Sequence, residues 1–435
     1  MNILKITPKN LNGNISIPSS KSMGHREIIC AALGKGESIV DNISISKDID
    51  ATCNSLRNLG IEIEEVKSKI NGRKAFKILG TDGNLKVKNK IIDCGESGST
   101  LRFLIPFGAI CGEEVIFKGQ GKLVSRPLDA YYNIFDKKGI IYENIENENL
   151  PLKVNGKLKA GEYELPGDVS SQFITGLLFI LPLLKGDSIL KITSKLESRS
   201  YIDLTLSCLD KYGIKIEHDN YMEYRIKGNQ HYKNNEDSYV EGDYSQIAFW
   251  LVAGALNEKG NNINCQGIDL NSLQGDKVIL EILERMGVKL NIKESINEIE
   301  VLGGEKTNKT IIDASDCPDI IPVLTVLASV SKGITEIKNA GRLRIKECDR
   351  LEAITTELNK IGADIKELPD GLIINGKENL IGGEVECWND HRIAMSMAVA
   401  SIKCKESLTL RGTECVKKSY PEFWNDFAKL GGKYE

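Results

Sequence analysis

The sequence predicts an α/β fold of two domains, each assembled from three copies of one unit. Three observations carry that reading. A helix that ends in glycine and runs into a strand appears first as NSLRNLGIEIEEV, capped at Gly60, and returns at Gly139, Gly213, Gly287, Gly362 and Gly431. On the same beat a cluster of small, cap-forming residues opens an apolar helix. Between the two helices of a copy lies a short strand.

The apolar helices open at IPSSKSMGHREIICAAL around Ser20, then near Ser97, Ser170, Ser245, Ser315 and Asn389. Such side chains accept hydrogen bonds from the free N–H groups of a first helical turn. Each of these helices is apolar on nearly every side, which places it in the heart of its unit. The strands that follow read ESIVDNISI, EEVIFKG, DSILKITSK, TEIKNAG and ESLTLRG. The second helices are amphipathic, as Leu351, Ile354, Leu358 and Ile361 show by recurring at three and four residues. A beat of about 75 residues exceeds the roughly 20 to 50 of solenoid repeats, and three units per domain divide the chain sensibly.

The first strand, Leu11 to Ile17, has no unit before it, and the last unit ends without a strand pair. The N-terminal strand is therefore expected to complete the C-terminal domain. Residues 1–20 with 241–435 form one domain and residues 21–240 the other, with a hinge where the chain crosses near 18–20 and 240–242.

Composition narrows the function. With 57 Lys and Arg against 61 Asp and Glu, there is no basic excess for a nucleic acid, nor are there aromatic stacking platforms. Eleven cysteines lack CxxC or Cys/His spacing, which suits buried thiols in a reducing cytosol and no metal site. The opening MNILKITPKN resembles no signal segment, and no run approaches the length of a membrane span. A GxxxxGK[ST] loop and a GxGxxG helix opening are both missing, which removes support for nucleotide phosphoryl transfer and dinucleotide redox chemistry.

What remains is anion chemistry. Gly341 to Arg350, GRLRIKECDR, crowds four cations and two carboxylates before an amphipathic helix, whose N-terminus itself favours negative charge. Further polar and charged residues stand at the openings of the repeated helices: Lys21, Ser22, Arg26, Arg102, Ser170, Ser171, Gln172, Asp319, and Asn389 to Arg392. Loops after the second strands add Arg126, Arg199, Lys346, Arg350 and Lys418. If the buried helices of a domain point their N-termini one way, their dipoles add at one face, and two such faces make an anion cleft. Asp319 and Glu347 stand among these cations as candidate proton acceptor and donor. Asp319 reads equally as a plain helix cap.

In order from residue 13 to residue 427, SSKSMGHR, SGSTLR, SRPLD, DVSSQF, PDIIP, RIKECDRL, NDHRIAM and KKSYPEF together resemble the EPSP synthase family of enolpyruvyl transferases. The resemblance implies a two-domain inside-out α/β barrel fold of six βαβαββ repeats. It also implies a cofactor-free reaction, in which the enolpyruvyl group of phosphoenolpyruvate passes to the 5-hydroxyl of shikimate 3-phosphate through a tetrahedral intermediate. Lys21, Gly98, Ser99, Arg102, Arg126, Gln172, Arg350, Arg392 and Lys418 would hold phosphoenolpyruvate. Lys21, Ser22, Arg26, Ser170, Ser171, Gln172, Ser198, Asp319, Arg342 and Lys346 would hold shikimate 3-phosphate. Asp319 would take the hydroxyl proton, and Glu347, with Lys21 or His391, would protonate the methylene carbon. A monomer that closes about its hinge on binding shikimate 3-phosphate is expected.

The chain departs from the family pattern at Glu96, Ser97, Ser99 and Phe103, and at Arg342, where a neutral Asn is usual. Gly98, which the family associates with glyphosate sensitivity, is kept. Two rivals stand beside this reading. Sister enzymes acting on UDP-N-acetylglucosamine carry a reactive Cys where KGQGKLVSRP has Gly121. A silent binder of anionic metabolites would gain nothing from Asp319 and Glu347, because carboxylates weaken anion binding.

Overall fold

The six glycines of the repeated signal all take the left-handed backbone conformation, with φ from +67° at Gly139 to +99° at Gly60. A side chain is disfavoured there, so glycine ends each second helix and turns the chain into the next strand. The computed structural model describes residues 2–70, 72–146 and 148–435.

The chain forms two compact units, Ser19–Val240 and Met1–Pro18 with Glu241–Glu435. The former carries α1 (Lys21–Leu33), α2 (Lys47–Asn58), α3 (Gly98–Cys111), α4 (Asp129–Lys138), α5 (Ser171–Ile180) and α6 (Arg199–Lys211). The latter carries α7 (Tyr244–Leu256), α8 (Ile279–Arg285), α9 (Ile321–Ser329), α10 (Arg350–Lys360), α11 (His391–Ala400) and α12 (Phe423–Lys429). The odd-numbered helices are the buried ones: every residue of α7, α9 and α11 is buried. Each unit has one continuous apolar core around its three buried helices.

Each sheet follows one plan. Ile91–Asp93 pairs parallel with Val115–Lys118, which pairs antiparallel with Leu152–Asn155, which pairs antiparallel with Ile141–Asn144. The strands before and after a buried helix are parallel because the helix is the crossover that a parallel pair needs. Gly13–Ser16 precedes α1, yet it pairs parallel with Ile263–Gln266. Its place beside Gly34–Ile43 is taken by Tyr232–Lys233 and Ser238–Tyr239. Ile3–Thr7, not expected as a strand, lies between Leu408–Arg411 and Lys433–Tyr434. Only Ile6 of that strand is fully buried, so its apolar pattern is weak.

Ser19 and Ser20, grouped with the first strand from sequence, belong to the Ser19–Val240 unit. Ser19 exchanges hydrogen bonds with Ser44, at 3.0 and 2.7 Å, and Ser20 caps α1 through the Met23 N–H. Ser97 and Ser170 cap α3 and α5 as expected. Asp243, close to Ser245, caps α7, and Asp390, next to Asn389, caps α11, while Asn389 itself has φ +49°. No side chain near Ser315 caps α9, because a 3-10 turn, Pro318–Ile320, leads into it. All eleven cysteines are free thiols and nine are buried. Among the described residues no helix is long and apolar enough to cross a membrane.

Candidate active site

In the unit of Glu241–Glu435, the N-terminal ends of α10 and α11 and the turn ahead of α9 meet around one guanidinium. Arg350 is the first residue of α10, and its side chain is 2% exposed. It donates through Nε to Asp390 at 2.8 Å, through Nη1 to Asp319 at 2.9 Å and through Nη2 to Glu347 at 2.7 Å. Burial opposes its charge, but Asp390, Glu347 and Asp319 outweigh that and hold it firmly protonated. Asp319 also faces Lys346 at 3.6 Å and Arg392 at 3.7 Å. Arg392 is anchored on α7, donating to the Ser245 carbonyl at 3.0 Å and hydroxyl at 2.6 Å.

Asp319 is therefore no cap; it lies in the 3-10 turn ahead of α9 with cations on several sides. Burial would raise its proton affinity, yet Lys346, Arg392 and Arg350 hold it well below the usual carboxylate range. Lys346 is in turn lowered by burial, with Asp319 opposing. Lys418 donates to the Asn389 carbonyl at 2.6 Å, and His391, the first residue of α11, is buried beside it in sequence to Asp390. Two further cations of GRLRIKECDR have partners of their own. Arg344 pairs with Asp349 at 2.8 Å and Glu367 at 2.7 Å, and Arg342 reaches the Ser315 carbonyl at 3.4 Å.

In the Ser19–Val240 unit, α3 and α5 bring a second set together. Gln172 spends both ends of its amide, accepting from Arg102 at 3.0 Å and donating to Ser99 at 2.9 Å. A Cβ on Gly98 would lie 2.7 Å from Arg126 Nη1 and 3.6 Å from Gln172 Oε1, so Gly98 keeps the helix opening low beneath these side chains. Arg102, Arg126 and Arg392 are all buried cations near helix openings, where an anion is favoured. Lys21 pairs with Asp48, on α2, at 2.7 Å.

A third group surrounds Arg26. It is 2% exposed and donates to Thr205 at 2.9 Å, the Ser22 carbonyl at 2.7 Å and the Tyr201 carbonyl at 3.0 Å, with Phe103 and Tyr201 rings beside it. Ser198, buried and left-handed at φ +54°, stands at the opening of α6, where its carbonyl accepts from Tyr201 N–H. Ser170 and Ser171 are at the opening of α5. Arg199 turns to Tyr221 and Asp203 and is 60% exposed, apart from these groups.

Sequence reasoning gave no role to Asp276, which is wholly buried in the 3-10 turn Gly275–Val278 with Oδ1 lacking a hydrogen-bond partner. Burial and then the nearby Asp319 push its carboxyl well above the usual range. Asp48 also passed unnoticed, since an acid in the first turn of an amphipathic helix is ordinary dipole compensation. The Glu96 carboxylate lies over Gly121, where a Cβ would meet it at 2.7 Å, and Gly121 itself has φ +57°. No group of three or more potential metal ligands occurs among the described residues.

The whole architecture recurs in solved proteins. EPSP synthase from Acinetobacter baumannii matches with a TM-score of 0.83 at 25% identity, covering 100% of this chain and 99% of that one. The enolpyruvyl transferase NikO from Streptomyces tendae shares the fold, with a TM-score of 0.74 at 15% identity, covering 100% and 98%. The chain thus has the two-domain inside-out α/β fold of the enolpyruvyl transferases. Residues 6–427 match the family model for EPSP synthase (3-phosphoshikimate 1-carboxyvinyltransferase). Proteins of that name from Clostridium kluyveri and Clostridium perfringens are 54% and 57% identical, covering 100% and 98% of this chain and 99% and 98% of their own. The chain belongs to the EPSP synthase family.

Proposed function

We propose that the chain transfers the 1-carboxyvinyl group of phosphoenolpyruvate to the 5-hydroxyl of 3-phosphoshikimate, releasing phosphate, as an enzyme of the shikimate pathway and aromatic amino acid biosynthesis. The observation that carries the division of labour is the pair of carboxylates, Asp319 and Glu347, gripped by one buried guanidinium. Lys21, Gly98, Ser99, Arg102, Arg126, Gln172, Arg350, Arg392 and Lys418 bind phosphoenolpyruvate. Arg26, Ser22, Ser170, Ser171 and Ser198, with Lys346 and Arg342, bind 3-phosphoshikimate. Lys21 and Gln172 touch both substrates, and Asp319 touches 3-phosphoshikimate.

Asp319, held ionised, accepts the proton of the attacking hydroxyl. Glu347, with Lys21 or His391, delivers a proton to the methylene carbon, so that the cation developing at the adjacent carbon meets its nucleophile at once. Acid and base acting together are each worth about 10²- to 10⁴-fold. The surrounding guanidinium groups stabilise the phosphate that leaves. No cofactor enters this scheme, and the protein acts as a cytoplasmic monomer.

Against the UDP-sugar alternative stands the Gly121 backbone. A cysteine there would need an unfavourable φ and would press its Cβ on Glu96. The test is phosphate release by EDTA-treated protein given phosphoenolpyruvate with either 3-phosphoshikimate or UDP-N-acetylglucosamine. Release with the first acceptor alone is expected; release only with the second, or with neither, would overturn the reading.

A further inference from the structure

We infer that Glu357 and Trp388 are positioning residues for the phosphoenolpyruvate side of the reaction, acting through the turn from Trp388 to Arg392. The inference rests on the assignment of Arg350, Arg392 and Lys418 to that substrate.

Glu357 follows Arg350 by two helical turns on α10, so the two side chains leave the same face. Both grip the segment ahead of α11. Arg350 holds Asp390, while wholly buried Glu357 accepts from the Trp388 indole N–H at 2.7 Å and the Glu386 backbone N–H at 3.1 Å. Lys360 supplies the compensating charge at 2.9 Å. One face of α10 therefore clamps residues 386, 388 and 390.

The clamped segment is strained. Trp388 and Asn389 are consecutive left-handed residues, with φ +53° and +49°. A bulky side chain there is an outlier that persists only where its surroundings over-determine it. Trp388 packs half-buried against the core, while a cleft of about 520 Å³, lined by Glu357, Lys360, Trp388, Asn389 and Arg411 among others, opens against the turn. The Asp390 N–H donates to the Cys387 carbonyl at 2.9 Å across the turn, and the indole adds a bond to a buried carboxylate, a charged acceptor of the strong kind.

The turn sets the geometry of the anion-binding groups. Its Asn389 carbonyl accepts from Lys418, and its Asp390 carboxylate caps α11 through the Arg392 N–H at 2.7 Å. If the indole anchor is lost, the turn relaxes toward an ordinary backbone. Lys418 and Arg392 then lose their aim, while the groups around Arg26 in the other unit are untouched.

The test compares Trp388→Phe, which keeps the ring and loses the donor, and Glu357→Gln, which keeps one acceptor, with KM for each substrate measured separately and Tm alongside. Trp388→Phe is expected to raise KM for phosphoenolpyruvate about tenfold, with KM for 3-phosphoshikimate within about twofold and Tm lowered by a few degrees, because Glu357 loses a donor. Glu357→Gln is expected to move the same constant in the same direction by less, and it decides the matter alone if the first variant does not fold. Unchanged KM for phosphoenolpyruvate, or both constants rising together, would overturn the inference. Absence of turnover in the unmodified protein would instead overturn the functional reading on which it rests.

Discussion

Asp319 and Arg350 are joined at 2.9 Å in a cluster where burial alone would raise the acid's proton affinity. The three cations around Asp319 reverse that and leave it ionised. A base so strongly stabilised is a weak one in the free protein. In the proposed reaction a dianionic substrate would share those cations, and Asp319 would gain proton affinity on its binding. Asp319→Asn is therefore expected to lower kcat by about 10²- to 10⁴-fold. Binding of 3-phosphoshikimate, measured by calorimetry, should hold or tighten, because a carboxylate has left an anion site. Weakened binding with kcat preserved would assign Asp319 to recognition alone.

Arg350 ties this cluster together. It is the shared partner of Asp319, Glu347 and Asp390. Arg350→Met leaves three carboxylates crowded with one buried cation fewer, and breaking such a buried pair costs about 3 to 5 kcal/mol. Arg350→Lys keeps the charge, but a single ammonium lacks the planar fork that spans three acceptors. Urea unfolding should show both variants destabilised, with Met the worse. Equal stability of wild type and Met variant would mean that the carboxylates repack or protonate at little cost.

The repeat was legible because it is written in backbone chemistry. All six capping glycines take positive φ, and the apolar helices behind the capping clusters are the buried ones. What stayed hidden depends on contacts across long stretches of sequence. Ile3–Thr7 finds its partners some 400 positions away, and one buried residue leaves little pattern to read. The cations of GRLRIKECDR looked alike, yet Arg350 is the hub of the carboxylate cluster while Arg344 braces Asp349 and Glu367. Only helix direction distinguishes them: Arg350 opens α10 on its buried face, and Arg344 lies in the preceding 3-10 turn. Asp276 carries no repeat signal at all, and its meaning comes wholly from burial beside Asp319.

Gly98 tests the second set of anion-binding groups. A Cβ added there would stand 2.7 Å from Arg126 Nη1, the far end of a flexible side chain. Since φ at this position raises no objection to alanine, Gly98→Ala should fold and push the Arg126 guanidinium out to an ordinary contact distance. KM for phosphoenolpyruvate should rise, with KM for 3-phosphoshikimate nearly constant. A rise in the second constant alone would place Arg126 with the other substrate.

Asp276 yields a prediction about pH. Its carboxyl is raised well above its ordinary value of 3.8, first by burial and then by Asp319, with Asp243 adding to the effect and Arg392 and Lys346 opposing it. In the unfolded chain the group ionises at its ordinary value. A raised folded value means that the folded protein binds the proton more tightly, so stability from this group is full below about pH 4 and lost as pH climbs toward the folded value. Asn at this position is neutral throughout and nearly the same shape. The Tm of Asp276→Asn relative to wild type should therefore increase as pH rises above about 4 and level off once pH passes the folded value, at constant ionic strength. The sign is opposite to that expected of a salt-bridged acid such as Asp319, whose contribution to stability is lost as pH falls. Parallel curves for variant and wild type would mean that Asp276 ionises in the folded protein as readily as in the unfolded chain. Its unpartnered oxygen would then have found a compensating cation.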